Sequence, residues 1–167
     1  MASERAQLDI ADAAAPSRLP LWSRPGYLVR RLHQSHGAIF AEECKAFGIT
    51  PVQYGLLTAL LHRPGSDQVS LGAELGIDRS NAADVVARLA ERGLVRRERG
   101  NTDRRTRLAH LTEEGVALTR AMFGAMQRAQ DRLLAPLAPE QRAAFMAMLV
   151  TLVEGNSEHG PETRSLG

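Results

Sequence analysis

Residues 78–115 read DRSNAADVVARLAERGLVRRERGNTDRRTRLAHLTEEG, and this stretch decides the fold. Val85, Val86 and Leu89 recur at helical spacing, and Gly93 closes that helix. A strand-like run, Leu94–Arg99, follows. The polar turn Gly100–Arg105 leads into a second strand-like run, Thr106–Leu111, and Thr112-Glu113-Glu114 opens another helix. A helix followed by a two-stranded ribbon with arginines at its tip is the sequence form of a winged helix-turn-helix. Such a unit lays one helix in the major groove of DNA and the ribbon tip in the minor groove.

The charge distribution agrees. The 167-residue chain is formally only +2, with 21 Lys+Arg against 19 Asp+Glu. Residues 79–107 hold nine arginines against four acids (Asp84, Glu91, Glu98, Asp103), a local +5, which leaves about −3 for the remainder. A basic patch on a near-neutral chain is a footprint for phosphate. Lys45 is the only lysine, so the choice of arginine over lysine at any one position carries little information.

Outward from this unit, the rest of the chain reads as helices. Residues 1–24 form an arm. Pro25 starts a long first helix that Gly48 closes, with Leu28, Leu32, Ile39, Phe40 and Phe47 on its apolar stripe. Thr50-Pro51-Val52-Gln53 is a capping box opening a second helix over residues 51–62. Ser70 is expected to cap a short third helix, 71–75, which Gly76 ends. Residues 80–92 form the fourth, begun by Asp78 or Arg79. Beyond the ribbon, one long helix is expected from Glu113 to about Leu134, striped by Val116, Met122, Phe123, Met126, Ala129 and Leu133. A last helix runs from Pro139 to about Val153, with Phe145, Met148, Leu149 and Leu152 on one face. The tail, residues 155–167, is polar and expected to be disordered.

The expected architecture is therefore mainly α with a small β-wing. Residues 49–111 form the winged helix-turn-helix and 25–48 with 112–154 a helical dimerisation region, together one unit over 25–154. Wide apolar faces on helices far apart in sequence are most economically buried in a shared two-fold core. No apolar run approaches the ~20 residues that span a membrane, and the N-terminus carries no signal-peptide pattern. With Cys44 alone, no internal disulfide forms, which fits a reducing cytoplasm. No cofactor is expected. An enzyme reading finds no nucleophile motif and no phosphate loop, and neither an enzyme nor a helical adaptor needs so basic a wing.

Asp78-Arg79-Ser80, Leu89, Gly93-Leu94-Val95, Arg97, Asp103-Arg104-Arg105 and Leu111-Thr112-Glu113-Glu114-Gly115 follow a distinctive spacing. By it the chain resembles the MarR family of transcription factors over roughly residues 25–154. The resemblance implies a homodimer on pseudo-palindromic double-stranded DNA, usually repressing, often with a small-molecule inducer. Arg24–Gln34 and Thr50–Tyr54 look similar to a branch governing aromatic-acid breakdown, nicotinate-pathway regulators among them.

Candidate DNA-contacting residues follow. Ser80, Asn81, Asp84 and Arg88 share one face of the fourth helix, where short polar groups meet base edges and Arg88 reaches guanine or phosphate. Ser80 or Asp78 alternatively serves only as a cap. Ser70, Arg79 and Arg97 join the set. In the wing, Asn101 and Asp103 support the turn, with Arg104 and Arg105 at or beside its tip. The resemblance implies that Asp103 orients Arg105 toward the minor groove, whose narrow stretches concentrate negative potential.

Effector candidates gather on the first two helices: Trp22 just upstream, then Tyr27, Arg30, Arg31, His33, Gln34 and His36, with Gln53 and Tyr54. Arginine with tyrosine and histidine suits an aromatic carboxylate, giving a fork for the acid and a flat wall for the ring. His33 and His36 read alternatively as structural histidines at a dimer seam. A metal reading would join them to Glu42, Glu43, Cys44 or His110; no metal is assigned. Some relatives sense peroxide through a cysteine placed early in the first helix. Cys44 lies late, among acids that raise a thiol pKa, and reads as a packing residue.

Overall fold

The computed structural model describes residues 20–99 and 107–157. A 3₁₀ turn over Pro20–Ser23 leads into α1 (Pro25–Glu43); α2 spans Pro51–His62, α3 Gln68–Leu75 and α4 Arg79–Glu91. Two of three strands follow, β2 (Val95–Arg99) and β3 (Arg107–Leu111), and then α5 (Glu113–Ala121), α6 (Phe123–Leu134) and α7 (Pro139–Gly155). The remaining strand, β1 (Ser66–Asp67), was not expected from the sequence: two residues carry no periodicity. It pairs antiparallel with β3, Ser66 opposite Ala109, in a sheet ordered β1-β3-β2.

Four expectations need correction. First, α1 stops at Glu43, and a separate 3₁₀ turn, Lys45–Phe47, carries the chain to Gly48, which is left-handed at φ 60°. Second, Asp67 rather than Ser70 caps α3: its Oδ1 accepts from the backbone N–H of Val69 (2.9 Å) and Ser70 (2.8 Å). A carboxylate at a helix start also suits the dipole, and with the helix begun at Gln68 the serine lies inside its first turn. Third, the long helix after the wing is divided at Met122. Fourth, Phe123 points outward at 67 % exposure. The face of α6 that packs on α1 consists of Met122, Ala125, Met126 and Ala129, and Phe123 lies about 100° round the helix from Met122.

The core joins the two regions. Phe40 and Cys44 of α1, Leu56, Leu57 and Leu60 of α2, Leu71, Val86 and Leu89 form one buried cluster with Met122 and Met126. The Cys44 thiol donates to Met126 Sδ at 3.9 Å. Burial, and secondarily the Glu43 carboxylate, pushes that thiol up, in keeping with a packing role. Over it lies an ionic lattice between α1 and α6. Glu43 accepts from Arg128 (2.9 Å) and Arg132 (2.8 Å), while Arg132 also reaches Glu42 (2.7 Å).

The helix-turn-helix is fixed by small residues. Gly72 has no side chain because a Cβ there would lie 2.8 Å from the Ile77 carbonyl oxygen. The wing is fixed by α5: the Thr112 hydroxyl donates to the Gly93 carbonyl (2.7 Å) and accepts from the Gly115 N–H (3.0 Å). A Cβ on Gly115 would meet the Leu94 carbonyl oxygen at 2.1 Å. No described residue of α7 is buried, and its apolar residues point all round it, including Met148, Val150, Leu152 and Val153.

Two outcomes follow. Gly115→Ala forces backbone apart and should cost about 3 kcal/mol of stability, read as a lowered thermal midpoint; an unchanged midpoint would show that the junction yields. The guanidiniums of Arg132, first, and Arg128 hold the Glu43 carboxyl below the usual carboxylate range. Its contribution is therefore present above the ordinary carboxylate pKa and lost as pH falls through the lowered value. Glu43→Gln should flatten the acid limb of a stability-versus-pH curve and leave its shape near neutrality unaltered.

Candidate nucleic-acid interface and effector cavity

Helix α4 is two-faced. Ala82, Val86 and Leu89 are buried, while Arg79, Ser80, Asn81, Asp84 and Arg88 are exposed on the other side. Asp78 is the cap: its Oδ1 accepts from the Asn81 N–H at 2.8 Å and its Oδ2 from Asn81 Nδ2 at 2.5 Å. Ser80 is thereby left free of the capping duty and is exposed. The far end of α4 is pinned as well. Arg92 donates to the carbonyls of Gly48 (2.7 Å) and Phe47 (3.2 Å), so this member of the basic patch serves the α1–α2 junction.

The strands sort the remaining arginines by face. Arg96 is ion-paired with Glu98, and Glu98 also lies 3.5 Å from His110 Nε2 across the ladder. The alternate positions Val95, Arg97 and Arg99 stand opposite Leu111, Ala109 and Arg107. This face begins in the core at Val95 and Ala109 and turns to arginine further out. Arg99 and Arg107 are direct cross-strand partners, and like charges so placed repel. Period-two alternation alone could have singled out Arg99 and Arg107, which the sequence reading counted in the patch without separating them from Arg96. Asn101, Asp103, Arg104 and Arg105 lie outside the described residues.

The effector candidates form a broken chain of rings. Trp22 and Tyr27 meet edge to face at 6.2 Å; His33, His36, Phe40 and Tyr54 follow one another at 6.2–6.5 Å between centroids. Gln53 has a structural task, because its Oε1 accepts from the Thr50 N–H (3.0 Å) in the capping box. Arg30, Arg31, His33 and Gln34 are exposed on α1. Of the nine candidates only Tyr54 lines the cavity of about 540 Å³ between α2 and α3. That cavity also takes in Thr58, His62, Arg63 and Glu74, none of them foreseen. Arg63 and Glu74 are eleven apart and share no pattern, but Thr58 interrupts an apolar run and was a readable signal. Ser70, expected at DNA, borders the same cavity. Among the described residues no three His, Cys, Asp or Glu side chains come together as a metal site, and no helix is long and apolar enough to cross a membrane.

Residues 47–106 match the profile described as MarR family. The chain is 35 % identical to the PcaV transcriptional regulator of Streptomyces coelicolor, solved in complex with its natural ligand. The match covers 83 % of this chain and 97 % of that one, with a TM-score of 0.74. The transcriptional repressor CouR, solved bound to a 23-mer DNA duplex, is 30 % identical over 82 % of this chain and 99 % of its own, TM-score 0.76. BpsR of Bordetella bronchiseptica, whose DNA binding is regulated by 6-hydroxynicotinic acid, is 27 % identical, with coverage of 81 % and 96 % and a TM-score of 0.76.

The two faces of the wing predict different salt dependences. Removing Arg97, Arg99 or Arg107 as a phosphate contact, by change to Gln, should reduce the slope of log K against log salt by about 0.9 each. Arg96→Gln, already paired with Glu98, should change it far less. Mobility shifts across a salt series check this, and four equal slopes would erase the distinction between the faces.

Proposed function

The chain belongs to the MarR family of DNA-binding transcriptional regulators, and from that premise we propose that it acts as a homodimeric repressor released from its operator by a small aromatic carboxylic acid. The observation that carries the DNA half is the exposed polar face of α4 beside a wing whose inner face turns to arginine. Ser80, Asn81, Asp84 and Arg88 read base edges in the major groove. Arg97 and the tip residues Arg104 and Arg105, steadied by Asn101 and Asp103, take phosphate and the minor groove. Arg79 and Ser70, at the starts of α4 and α3, contact the backbone.

The dimer is supported by α7. A helix apolar all round, with Val153 72 % exposed, leaves surface that a solvated monomer does not keep. Leu28 and Val29 at the start of α1 are exposed in the same way. A second copy related by a two-fold axis covers both and sets two α4 helices at matching half-sites.

The acid is supported by chemistry on α1 and α2 together with the 6-hydroxynicotinic acid that regulates DNA binding by BpsR. Tyr54 and His36 offer aromatic faces, Arg30 and Arg31 supply positive charge on the same helix as His36, and His33 adds a hydrogen-bonding ring. Trp22, Tyr27 and Gln34 extend the same surface. An acid acts on DNA binding only through its different affinity for the bound and free conformations of the dimer.

The half-sites should be ~10–11 base pairs apart, one helical turn. Arg105→Ala should cost about 1–3 kcal/mol of operator affinity with an unchanged melting temperature; a mobility shift with full affinity removes the tip from the mechanism. Truncation after Pro136 should abolish the dimer and tight binding together. Light scattering that still reports a dimer would put the interface elsewhere.

A further inference from the structure

The turn between α3 and α4 holds one exposed side chain in a fixed attitude. The Ile77 N–H donates to the Gly72 carbonyl (3.0 Å), and a Cβ on Gly72 would lie 2.8 Å from the Ile77 carbonyl oxygen, so the turn sits directly on α3. The next residue, Asp78, is half-buried, and its carbonyl accepts the Ala82 N–H (3.0 Å) at the start of α4. Its carboxylate therefore stands on a stiff base. One oxygen does the capping: Oδ1 accepts the Asn81 backbone N–H at 2.8 Å. A cap needs no more than that. The other oxygen, Oδ2, accepts from Asn81 Nδ2 at 2.5 Å. An ionised carboxylate only accepts, so the amide atom set against it is the nitrogen. The amide oxygen, on the other arm of the same planar group, is turned away from Asp78. Asn81 is exposed, and among the described residues nothing donates to that oxygen.

We infer that Asp78 is a positioning residue for base recognition: its second oxygen fixes the Asn81 amide with the amide oxygen presented to DNA, so that Asn81 selects the amino group of adenine N6 or cytosine N4. The inference rests on the reading of α4 as the helix in the major groove and adds how one of its readers is oriented. A free asparagine amide turns over and exchanges donor for acceptor. It then accepts from adenine or cytosine in one attitude and donates to guanine or thymine in the other. The Asp78 carboxylate removes that choice before DNA arrives, and less ordering is left to do on binding. The second N–H of the amide remains for N7 when the base is adenine. Asp84 stands one turn further along the same exposed face and is the carboxylate to which a released amide has access instead.

The test takes an operator selected from random duplexes by the full-length protein and measures affinity for every single base-pair change in a half-site. Asn81→Ala should flatten the preference at one base pair, a loss of about tenfold, and so mark the position that Asn81 reads. Asp78→Asn and Asp78→Ser each keep a capping oxygen and give up the second carboxylate oxygen. Both should flatten that same base pair, keep the preferences elsewhere and melt near the wild-type temperature. Their affinity for random duplex should hold or rise, because a negative charge beside phosphate is gone. Replacing the major-groove amino group of that base pair by hydrogen should cost the wild type about the same tenfold and cost Asn81→Ala nothing further. Unchanged preferences in both Asp78 variants would make Asp78 a cap and nothing else, while α4 remains a reader. A uniform loss at all positions, or a markedly lower melting temperature in both, would likewise leave it a structural role only. If removing the amino group costs the wild type nothing where Asn81→Ala still flattens the position, the orientation is wrong. If Asn81→Ala flattens no position, the inference falls together with the proposed role of Asn81 itself.

Discussion

The structure depends on one close contact: the first turn of α5 rests directly on the peptide of Leu94. Only glycine fits at position 115, and Thr112 closes the junction by bonding Gly93 on one side and the Gly115 N–H on the other. This contact sets where β2 leaves the body, and therefore where the wing stands relative to α4. It acts together with the shared core of Phe40, Leu56, Leu89, Met122 and Met126, and with the bonds of Arg92 to Gly48 and Phe47, in holding the helix-turn-helix and strands to the surrounding helices.

The charged residues divide into those that hold the fold and those left for a ligand. Arg92, Arg128 and Arg132 are spent on carbonyls and carboxylates inside the molecule. Arg96 is balanced by Glu98. What remains outward on α4 and on one face of the strands is polar or cationic with little internal compensation. Arg99 and Arg107, opposite one another on the ladder, repel. The internal partners of the arginines, rather than their count in the sequence, decide which of them are left for a ligand.

Most of the architecture was legible in the sequence because its signals are local. The Thr50–Gln53 capping box, the glycines at 48, 76 and 93, and the apolar stripe of α4 each follow from backbone chemistry within a few residues. The errors lie where tertiary packing decides. Asp67 is the cap rather than Ser70 because the helix begins at Gln68, three residues before the expected start, which leaves Ser70 inside the first turn. The division at Met122 and the outward turn of Phe123 follow from how α6 meets α1, which no single-helix period encodes. The candidate site was half legible. The exposed face of α4 could be read from periodicity, and so could the sorting of wing arginines. The cavity between α2 and α3 depends on two helices meeting at Gly55, and the α1 candidates on the covering of their face.

The central claim is a two-fold symmetric reader of DNA that lets go when an acid binds. Hydroxyl-radical footprinting of the DNA beside its own gene, with and without 6-hydroxynicotinate or 4-hydroxybenzoate, tests it most directly. The account predicts two protected half-sites one helical turn apart, flanked by minor-groove protection from the wings, all fading as the acid is added. A single unsymmetrical footprint, or a symmetric one that neither acid disturbs, would contradict it.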